Sequence, residues 1–271
     1  MNLEIFKNNN KFLMLALDHR GSFKKFINKE NPESVEDVDI IKTKQIIIQN
    51  LQDSFSGVLI DEDWGLPAYE DKTKPYLLCV EKSGYTEDGG SRITEIGYSV
   101  KDLKKLGASG VKLLIYFNPE DKSATTQLET SKNILLEAKE NDLPLFLEIV
   151  TYGKDEDMRR GELVLKSLDM FLEFGIRPDV FKLEYPGNLA SCQKITEKLG
   201  NIPWILLTRG VSFEKFKSQL QDAVDAGAVG FLAGRALWQE IVDYKTWEEK
   251  EEYLKNIVRP RFEEINKIIL K

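Results

Sequence analysis

The segment Pro178-Asp179-Val180-Phe181-Lys182-Leu183-Glu184-Tyr185-Pro186 is a short apolar run with a lysine in its middle. Its length and its bounding prolines predict a buried strand rather than a helix. We therefore expect the side chain of Lys182 to point into the protein. Because burial favours the neutral form of an amine, Lys182 is a candidate nucleophile that forms a Schiff base with a carbonyl compound. The alternative is a structural ion pair between Lys182 and Glu184 or another carboxylate at a strand end.

Seven further apolar runs alternate with helical patterns along the chain. They cover residues 12–17, 57–60, 76–80, 110–116, 144–150, 203–207 and 229–233. This alternation is typical of a parallel α/β fold, and eight units within about 230 residues favour a closed (β/α)₈ TIM barrel over an open doubly wound sheet. No linker interrupts the pattern, so we expect a single domain over residues 1–271. Residues 246–271 are predicted to form a charged helix that packs outside the barrel.

Composition restricts the partners and cofactors of the protein. The net charge is −7 over 271 residues, and no long run of lysine and arginine predicts a surface for nucleic acid or membrane. The apolar run at 12–17 is too short for a signal peptide or a membrane span, so we expect a cytoplasmic protein. One histidine, His19, and two isolated cysteines, Cys79 and Cys192, exclude a zinc site of several imidazoles and a disulfide framework. Metal sites with oxygen ligands stay possible from composition, we expect no other cofactor, and the sequence leaves open whether the protein is a homo-oligomer.

Charged residues lie inside or at the C-terminal ends of the predicted strands, where the active sites of TIM barrels form. The set comprises Asp18, Asp61, Lys112, Glu148, Lys182, Glu184, Arg209 and Arg235. Lys112, Glu148 and Lys182 lie on three neighbouring strands, and each needs a partner, so we expect them to pair with one another. A second lysine nearby also disfavours the charged form of the first. The spacing does not decide which lysine is the nucleophile, so Lys112 is an alternative to Lys182. The structural alternative is that these residues form an internal cluster of salt bridges without catalytic function.

Two segments with glycine and arginine predict a phosphate site. Thr208-Arg209-Gly210 and Ala233-Gly234-Arg235 follow the seventh and eighth strands, where barrels commonly bind phosphate with loop amides and a helix N-terminus. The glycines allow an anion to approach the main chain, and the second arginine can add bidentate hydrogen bonds. Alternatively, both arginines pair with acidic loops. His19, beside Asp18, is a candidate for proton transfer or for hydrogen bonding alone.

Six segments carry a resemblance that covers almost the whole predicted barrel in order. They are Leu17-Asp18-His19-Arg20-Gly21, Leu59-Ile60-Asp61-Glu62-Asp63-Trp64-Gly65-Leu66-Pro67-Ala68, Glu81-Lys82-Ser83-Gly84-Tyr85, Phe146-Leu147-Glu148-Ile149-Val150-Thr151-Tyr152, Asp179-Val180-Phe181-Lys182-Leu183-Glu184 and Ala233-Gly234-Arg235-Ala236-Leu237-Trp238. Together they resemble the class I tagatose-1,6-bisphosphate aldolase family. Relatives of that family include sulfofructose-phosphate aldolases and an aldolase-like domain of inositol breakdown.

The resemblance implies a class I aldolase that reversibly cleaves a phosphorylated ketose, such as tagatose 1,6-bisphosphate, into dihydroxyacetone phosphate and an aldehyde. It implies that Lys182 forms the Schiff base, that Glu148 is the acid/base carboxylate, and that no metal is required. It further implies that Lys112 and Asp18 line the site. The residues expected to bind the substrate or its phosphate are Gly210, Gly234, Arg235, Arg209, His19 and Asp61.

Two positions depart from the family pattern. Tagatose-bisphosphate enzymes tend to have glutamine at the position of His19 and a small residue at that of Arg209, and the inositol-breakdown branch is more similar here. The substrate therefore stays open between tagatose 1,6-bisphosphate, sulfofructose 1-phosphate and a deoxy-ketogluconate phosphate. Two interpretations from other classes are a regulator that binds sugar phosphates without catalysis and an isomerase that forms no covalent intermediate.

Overall fold

The computed structural model describes residues 2–271 and is built around eight parallel strands. In chain order they are β1 (Lys11–Leu17), β2 (Gly57–Ile60), β3 (Tyr76–Cys79), β4 (Gly110–Phe117), β5 (Leu145–Thr151), β6 (Val180–Leu183), β7 (Trp204–Leu207) and β8 (Gly230–Ala233). Each strand pairs in parallel with the next, and β8 pairs with β1, so the sheet closes. The predicted TIM barrel is confirmed, and the open-sheet alternative is wrong.

Helices connect the strands and cover the outside of the barrel. Within residues 2–271 they are α1 (Gly21–Ile27), α2 (Asp37–Leu51), α3 (Gly65–Ala68), α4 (Val100–Lys105), α5 (Ala124–Glu140), α6 (Glu156–Glu173), α7 (Leu189–Leu199), α8 (Phe213–Asp225), α9 (Arg235–Trp238), α10 (Trp247–Tyr253) and α11 (Arg259–Ile269). A short strand, Lys7–Asn8, pairs antiparallel with β1, and the loop after β3 contains a hairpin of Thr86–Asp88 and Ser91–Ile93. No helix in this described part of the chain is both long and apolar enough to cross a membrane.

Side chains of the strands alternate between the barrel interior and the helix layer. In β1, Phe12, Met14 and Ala16 belong to the interior cluster, whereas the intervening leucines belong to the cluster that includes the helices. Both faces are buried, which explains why the strands read as continuous apolar runs. At the N-terminal end of the barrel, Phe6 is fully buried, and its ring centroid lies 5.4 Å from that of Phe146 in β5. Phe6 therefore closes the lower end of the interior.

The C-terminal residues pack outside the barrel, as predicted. Helix α10 begins at a capping box formed by Thr246 and Glu249, and α11 packs against α2 and α8. The predicted single helix is interrupted by a π-helical turn at Leu254–Val258. Pro260 lies at the start of α11 and accounts for this turn, since proline lacks the N–H that would bond to the carbonyl four residues earlier.

Closure of the barrel depends on a glycine at the start of β8. Gly230 pairs with Phe12 of β1, and a Cβ atom at Gly230 would lie 2.2 Å from the carbonyl oxygen of Phe12. We expect Gly230→Ala to lower the free energy of unfolding by about 1–3 kcal/mol, because β1 and β8 must move apart. Urea denaturation measures this. The control is Gly21→Ala, whose Cβ would meet only Ser83 Oγ at 3.7 Å. Equal stabilities of the two variants would contradict the expectation.

Candidate active site

A cavity of about 420 Å³ opens at the C-terminal ends of the barrel strands. Among the predicted site residues, those that line it are Asp18, His19, Lys112, Glu148, Lys182, Arg209, Gly234 and Arg235. They converge because each lies on a strand or directly after one, and parallel strands all end at the same rim. Three other charged or glycine positions, Asp61, Glu184 and Gly210, do not line the cavity.

The centre of the cavity is an ion pair between two neighbouring strands. Lys182 of β6 is in register with Glu148 of β5, and its Nζ lies 2.7 Å from Glu148 Oε2. Lys182 is only 4% exposed, as expected for a lysine in a strand that is buried on both faces. The alternative partner Glu184 instead accepts hydrogen bonds from Arg209 and from Thr151. Lys182 and Glu148 therefore form an ion pair in the wall of the cavity.

Lys112 is surrounded by three carboxylates. Its Nζ lies 2.8 Å from Asp18 Oδ2 and 3.7 Å from Glu148 Oε2, and it donates a hydrogen bond to Glu81. Burial alone would lower the pKa of Lys112, but the negative charges, that of Asp18 first, raise its pKa well above the usual value. An amine that is held in its charged form is a poor nucleophile. The geometry therefore favours Lys182 over the alternative nucleophile Lys112.

Asp18 belongs to the same cluster. Burial opposes its ionisation, but the charges of Lys112 and Lys182 hold the pKa of Asp18 well below the usual value. Asp18, Cys79 and Glu81 bring potential metal-ligating atoms within 4.8 Å of one another. However, the ammonium of Lys112 already contacts both carboxylates, and burial raises the pKa of the Cys79 thiol well above normal. The ammonium of Lys112 thus provides the positive charge that a metal ion would provide between Asp18 and Glu81.

His19 lies beside Asp18 in the wall of the cavity. Burial lowers the pKa of His19 to about 3, and the charges of Arg235 and Lys182 act in the same direction, against that of Asp18. Its Nδ1 is 3.9 Å from Asp18 Oδ1, and its ring packs edge-on against Trp238. A histidine that stays neutral at ordinary pH is a weak base, so its position favours hydrogen bonding over proton transfer.

The two predicted phosphate-binding arginines differ in their surroundings. Arg209 donates hydrogen bonds to Glu184, to Glu156 and to the carbonyl oxygen of Thr151, so its charge is neutralised by the protein. The alternative that the arginines pair with acidic loops therefore holds for Arg209, and its expected role as an anion ligand is not supported. Arg235 is different, because its buried Nε has no hydrogen-bond partner among residues 2–271.

Two glycines allow close packing around the Arg235 side chain and beside His19. A Cβ atom at Gly210, which has a φ of +72°, would lie 3.2 Å from Cζ of Arg235. A Cβ atom at Gly234 would lie 3.0 Å from the carbonyl oxygen of Ala16 and 3.1 Å from Cε1 of His19. Gly210 therefore supports the arginine rather than lining the cavity itself, whereas Gly234 lines it.

Asp61 has a structural position, which corrects the expectation that it contacts substrate. It is fully buried after β2, where it pairs with Lys44 of α2 and accepts the backbone N–H of Trp64 at 2.8 Å. Lys44 also donates to the carbonyl oxygens of Leu17 and His19, at 2.8 and 2.9 Å. The pair thus fixes the loop that carries Asp18 and His19 without reaching the cavity.

Comparison with known proteins identifies the family. Residues 12–240 match the sequence profile described as DeoC/LacD family aldolase. The chain belongs to this family. It is 29% identical to the tagatose 1,6-diphosphate aldolase of Staphylococcus haemolyticus and 28% identical to that of Staphylococcus aureus strain bovine RF122. Each alignment covers 94% of this chain and 90% of the relative.

Solved structures share the fold. An archaeal fructose 1,6-bisphosphate aldolase superposes with a TM-score of 0.71 at 22% identity, covering 96% of this chain and 97% of that one. A Schiff-base-forming fructose-1,6-bisphosphate aldolase gives 0.69 at 23% identity, covering 94% and 96%. With the family match, the protein is a class I aldolase and therefore a carbon–carbon lyase, as the sequence predicted.

The aldolase has further charged residues at this site that the sequence analysis missed: Arg20 and Glu81 line the cavity, and Glu62 lies behind them. Arg20 donates a hydrogen bond of 2.6 Å to the carbonyl oxygen of Glu81, and its Nη1 lies 3.6 Å from Glu62 Oε2. Glu62 also accepts the backbone N–H of Cys79 at 2.9 Å. The sequence did contain a signal for Glu81, because this residue directly follows a predicted strand, as Asp18 does. Arg20 and Glu62 together hold the strand end that presents Glu81 to Lys112.

Glu62 gives the aldolase a pH-dependent stability. Burial raises the pKa of Glu62 from 4.5 to about 7, so the folded state binds more protons than the unfolded chain between these values. Its contribution is complete below pH 4.5 and is lost as the pH rises through about 7. We expect the free energy of unfolding of the wild type to fall by about 1–3 kcal/mol relative to Glu62→Gln between pH 4.5 and 8.

Urea denaturation across this pH range makes the measurement. Glutamine keeps an acceptor for the Cys79 N–H, so the comparison isolates the titrating proton. The control is Glu33→Gln at an exposed glutamate, which should change stability equally at both pH values. If the difference between wild type and Glu62→Gln did not change with pH, the raised pKa would be wrong.

Proposed function

We propose that the protein cleaves a phosphorylated ketose, such as tagatose 1,6-bisphosphate, through a Schiff base on Lys182. The products would be dihydroxyacetone phosphate and an aldehyde. The observation that carries this proposal is the buried pair of Lys182 and Glu148, 2.7 Å apart in the cavity, with the charge of Lys112 fixed beside it. The substrate class is supported by the tagatose 1,6-diphosphate aldolases that are 28–29% identical to this chain.

Glu148 is suited to the proton transfers that form the Schiff base. It accepts a proton from the Lys182 ammonium across their 2.7 Å contact, which frees the amine to attack the C2 carbonyl of the ketose. It then returns the proton to the carbinolamine oxygen, which leaves as water. The resulting iminium ion is an electron sink adjacent to C3.

Cleavage follows from the iminium ion. A base removes the proton of the C4 hydroxyl, the C3–C4 bond breaks, and its electron pair forms an enamine with the iminium carbon while the aldehyde leaves. Protonation at C3 and hydrolysis then release dihydroxyacetone phosphate and regenerate the amine. Glu148 is the base that we assign, because the low pKa of Asp18 makes that carboxylate a weaker proton acceptor. Lys112 stabilises negative charge that develops on the substrate oxygens.

Arg235 and Gly234 are suited to hold the phosphate on C1. Arg235 lines the cavity with a buried Nε that lacks a partner among the described residues, so an anion would complete its hydrogen bonding. Gly234 leaves main chain accessible next to it. Turnover assays with tagatose 1,6-bisphosphate, fructose 1,6-bisphosphate, sulfofructose 1-phosphate and a deoxy-ketogluconate phosphate identify the sugar. A protein that binds these compounds without cleaving any of them would be a regulator.

Borohydride reduction in the presence of dihydroxyacetone phosphate should attach the substrate covalently to Lys182. Only a neutral amine attacks the carbonyl, and the reduced imine is stable to peptide mapping. Lys44 is an internal control, because it is buried and paired with a carboxylate but lies outside the cavity. Label on Lys112 alone would move the Schiff base to that residue. Absence of label on any lysine would contradict the mechanism and favour an isomerase.

Substitution of Glu148 by glutamine should separate proton transfer from ion pairing. Glutamine keeps the shape of the side chain but cannot carry the proton, so kcat should fall roughly 10²- to 10⁴-fold while the protein stays folded. The measurement is kcat across pH, with a thermal melt of both proteins. Near-native turnover at the pH optimum of the variant would show that another group transfers the proton.

A further inference from the structure

Four arginines line the cavity, and they fall into two classes. Arg20 lies near Glu62, and Arg209 contacts Glu184 and Glu156, so both are compensated by the protein. The other two are Arg92 and Arg235. No carboxylate of residues 2–271 lies within ion-pair distance of either guanidinium. Two uncompensated positive charges in one cavity indicate a ligand with two anionic groups.

Arg92 is held in place by aromatic rings rather than by acidic groups. It lies in the hairpin strand Ser91–Ile93, and its guanidinium carbon is 5.0 Å from the ring centroid of Tyr85 and 4.9 Å from that of Tyr152. Such contacts restrain a guanidinium without using its N–H donors on a carboxylate. The donors of Arg92 therefore stay available to a ligand in the cavity.

The backbone of Arg92 is anchored on both sides. Its N–H donates to Tyr152 Oη at 3.0 Å, and its carbonyl accepts from Gln127 Nε2 at 3.1 Å. Gln127 is itself only 1% exposed and also donates to the carbonyl of Tyr116 in β4. The hairpin is thus fixed to the barrel at the position of Arg92, and less conformational freedom is lost when a ligand binds.

The anchors place Arg92 and Arg235 on opposite sides of the barrel mouth. Tyr116 belongs to β4, Tyr152 directly follows β5, and Gln127 lies on α5 between them. Arg235 follows β8, which is four strands from β4 in a ring of eight. Lys182 lines the same cavity. A ligand that reaches both guanidiniums must therefore cross the cavity that contains the reactive amine.

We propose that Arg92 binds the second anionic group of the substrate, at the end of the carbon chain opposite the phosphate held by Arg235. The identity of the ligand rests on the proposed aldolase function. The chemistry is that of a tetrahedral oxyanion, a phosphate or a sulfonate, on the part of the ketose that leaves as the aldehyde. The aldehyde product therefore carries this anionic group itself.

Binding of non-reactive hexitols tests the subsite separately from catalysis. A hexitol 1,6-bisphosphate and a hexitol 1-phosphate have no carbonyl group, so neither needs a Schiff base to bind. By isothermal titration calorimetry, Arg92→Gln should weaken the bisphosphate roughly 10- to 100-fold and leave the 1-phosphate unchanged. Arg92→Lys, which keeps the charge but not the planar fork, should fall between wild type and Arg92→Gln. A hexitol with a 6-sulfonate and a 1-phosphate distinguishes the two oxyanions.

The matched control is Lys122→Gln. Lys122 pairs with Asp88 of the same hairpin at 3.0 Å and does not line the cavity, so its loss changes the charge of this region without removing a ligand. It should leave both hexitols unaffected. Equal loss of both hexitols in Arg92→Gln, or no loss of the bisphosphate, would overturn the proposal. If the hexitols bind as expected but no ketose is cleaved or trapped on a lysine, the proposed aldolase function would be rejected. The anion subsite at Arg92 would still be supported.

Discussion

The structure of the site depends on compensation of one buried charge, that of Lys112. An ammonium without water is stable only among anionic groups, and three carboxylates surround it. Asp18 follows β1, Glu81 follows β3, and Glu148 is in β5, so a single lysine of β4 connects four parts of the barrel rim. This arrangement also fixes the place of Lys182, which shares Glu148 with Lys112.

The two lysines have different environments, and the difference fits the separate tasks that we propose for them. Lys112 has three carboxylate neighbours, whereas Lys182 has one, Glu148. Removing a proton from Lys182 leaves the balance around Lys112 intact, because Asp18 and Glu81 still compensate it. A charged lysine and the proposed nucleophile can therefore lie side by side, because the acidic groups are distributed unequally between them.

A second set of ion pairs fixes the loops at the rim. Arg209, whose φ of +47° is unusual for a residue with a side chain, connects Thr151 at the end of β5, Glu184 after β6 and Glu156 of α6 to its own loop after β7. Burial raises the pKa of Glu184, which makes the charge of Arg209 important for keeping this carboxylate ionised. One side of the rim is thereby held together by the protein's own charges.

Sequence patterns predicted the barrel and its central residues because these depend on local signals. A short apolar run that ends in a charged residue marks both a strand and its active-site end, as for Lys182 and Asp18. The partners of each charge depend instead on contacts between distant segments. The pairing of Asp61 with Lys44 and the compensation of Arg209 could not be predicted for this reason. The hairpin around Arg92 was missed because its first strand is polar and exposed. Such a strand shows no alternation of apolar and polar residues.

The lower end of the barrel is closed where Phe6 packs against Phe146, and the cavity opens at the C-terminal rim. Substrate and products would then pass through this rim. In a Schiff-base aldolase, one fragment stays attached to the enzyme after cleavage, while the other is free. The free aldehyde must diffuse out before the attached fragment can be released and follow it. Under the proposed mechanism, release would therefore be ordered, and in the direction of synthesis the ketone would enter first and the aldehyde second.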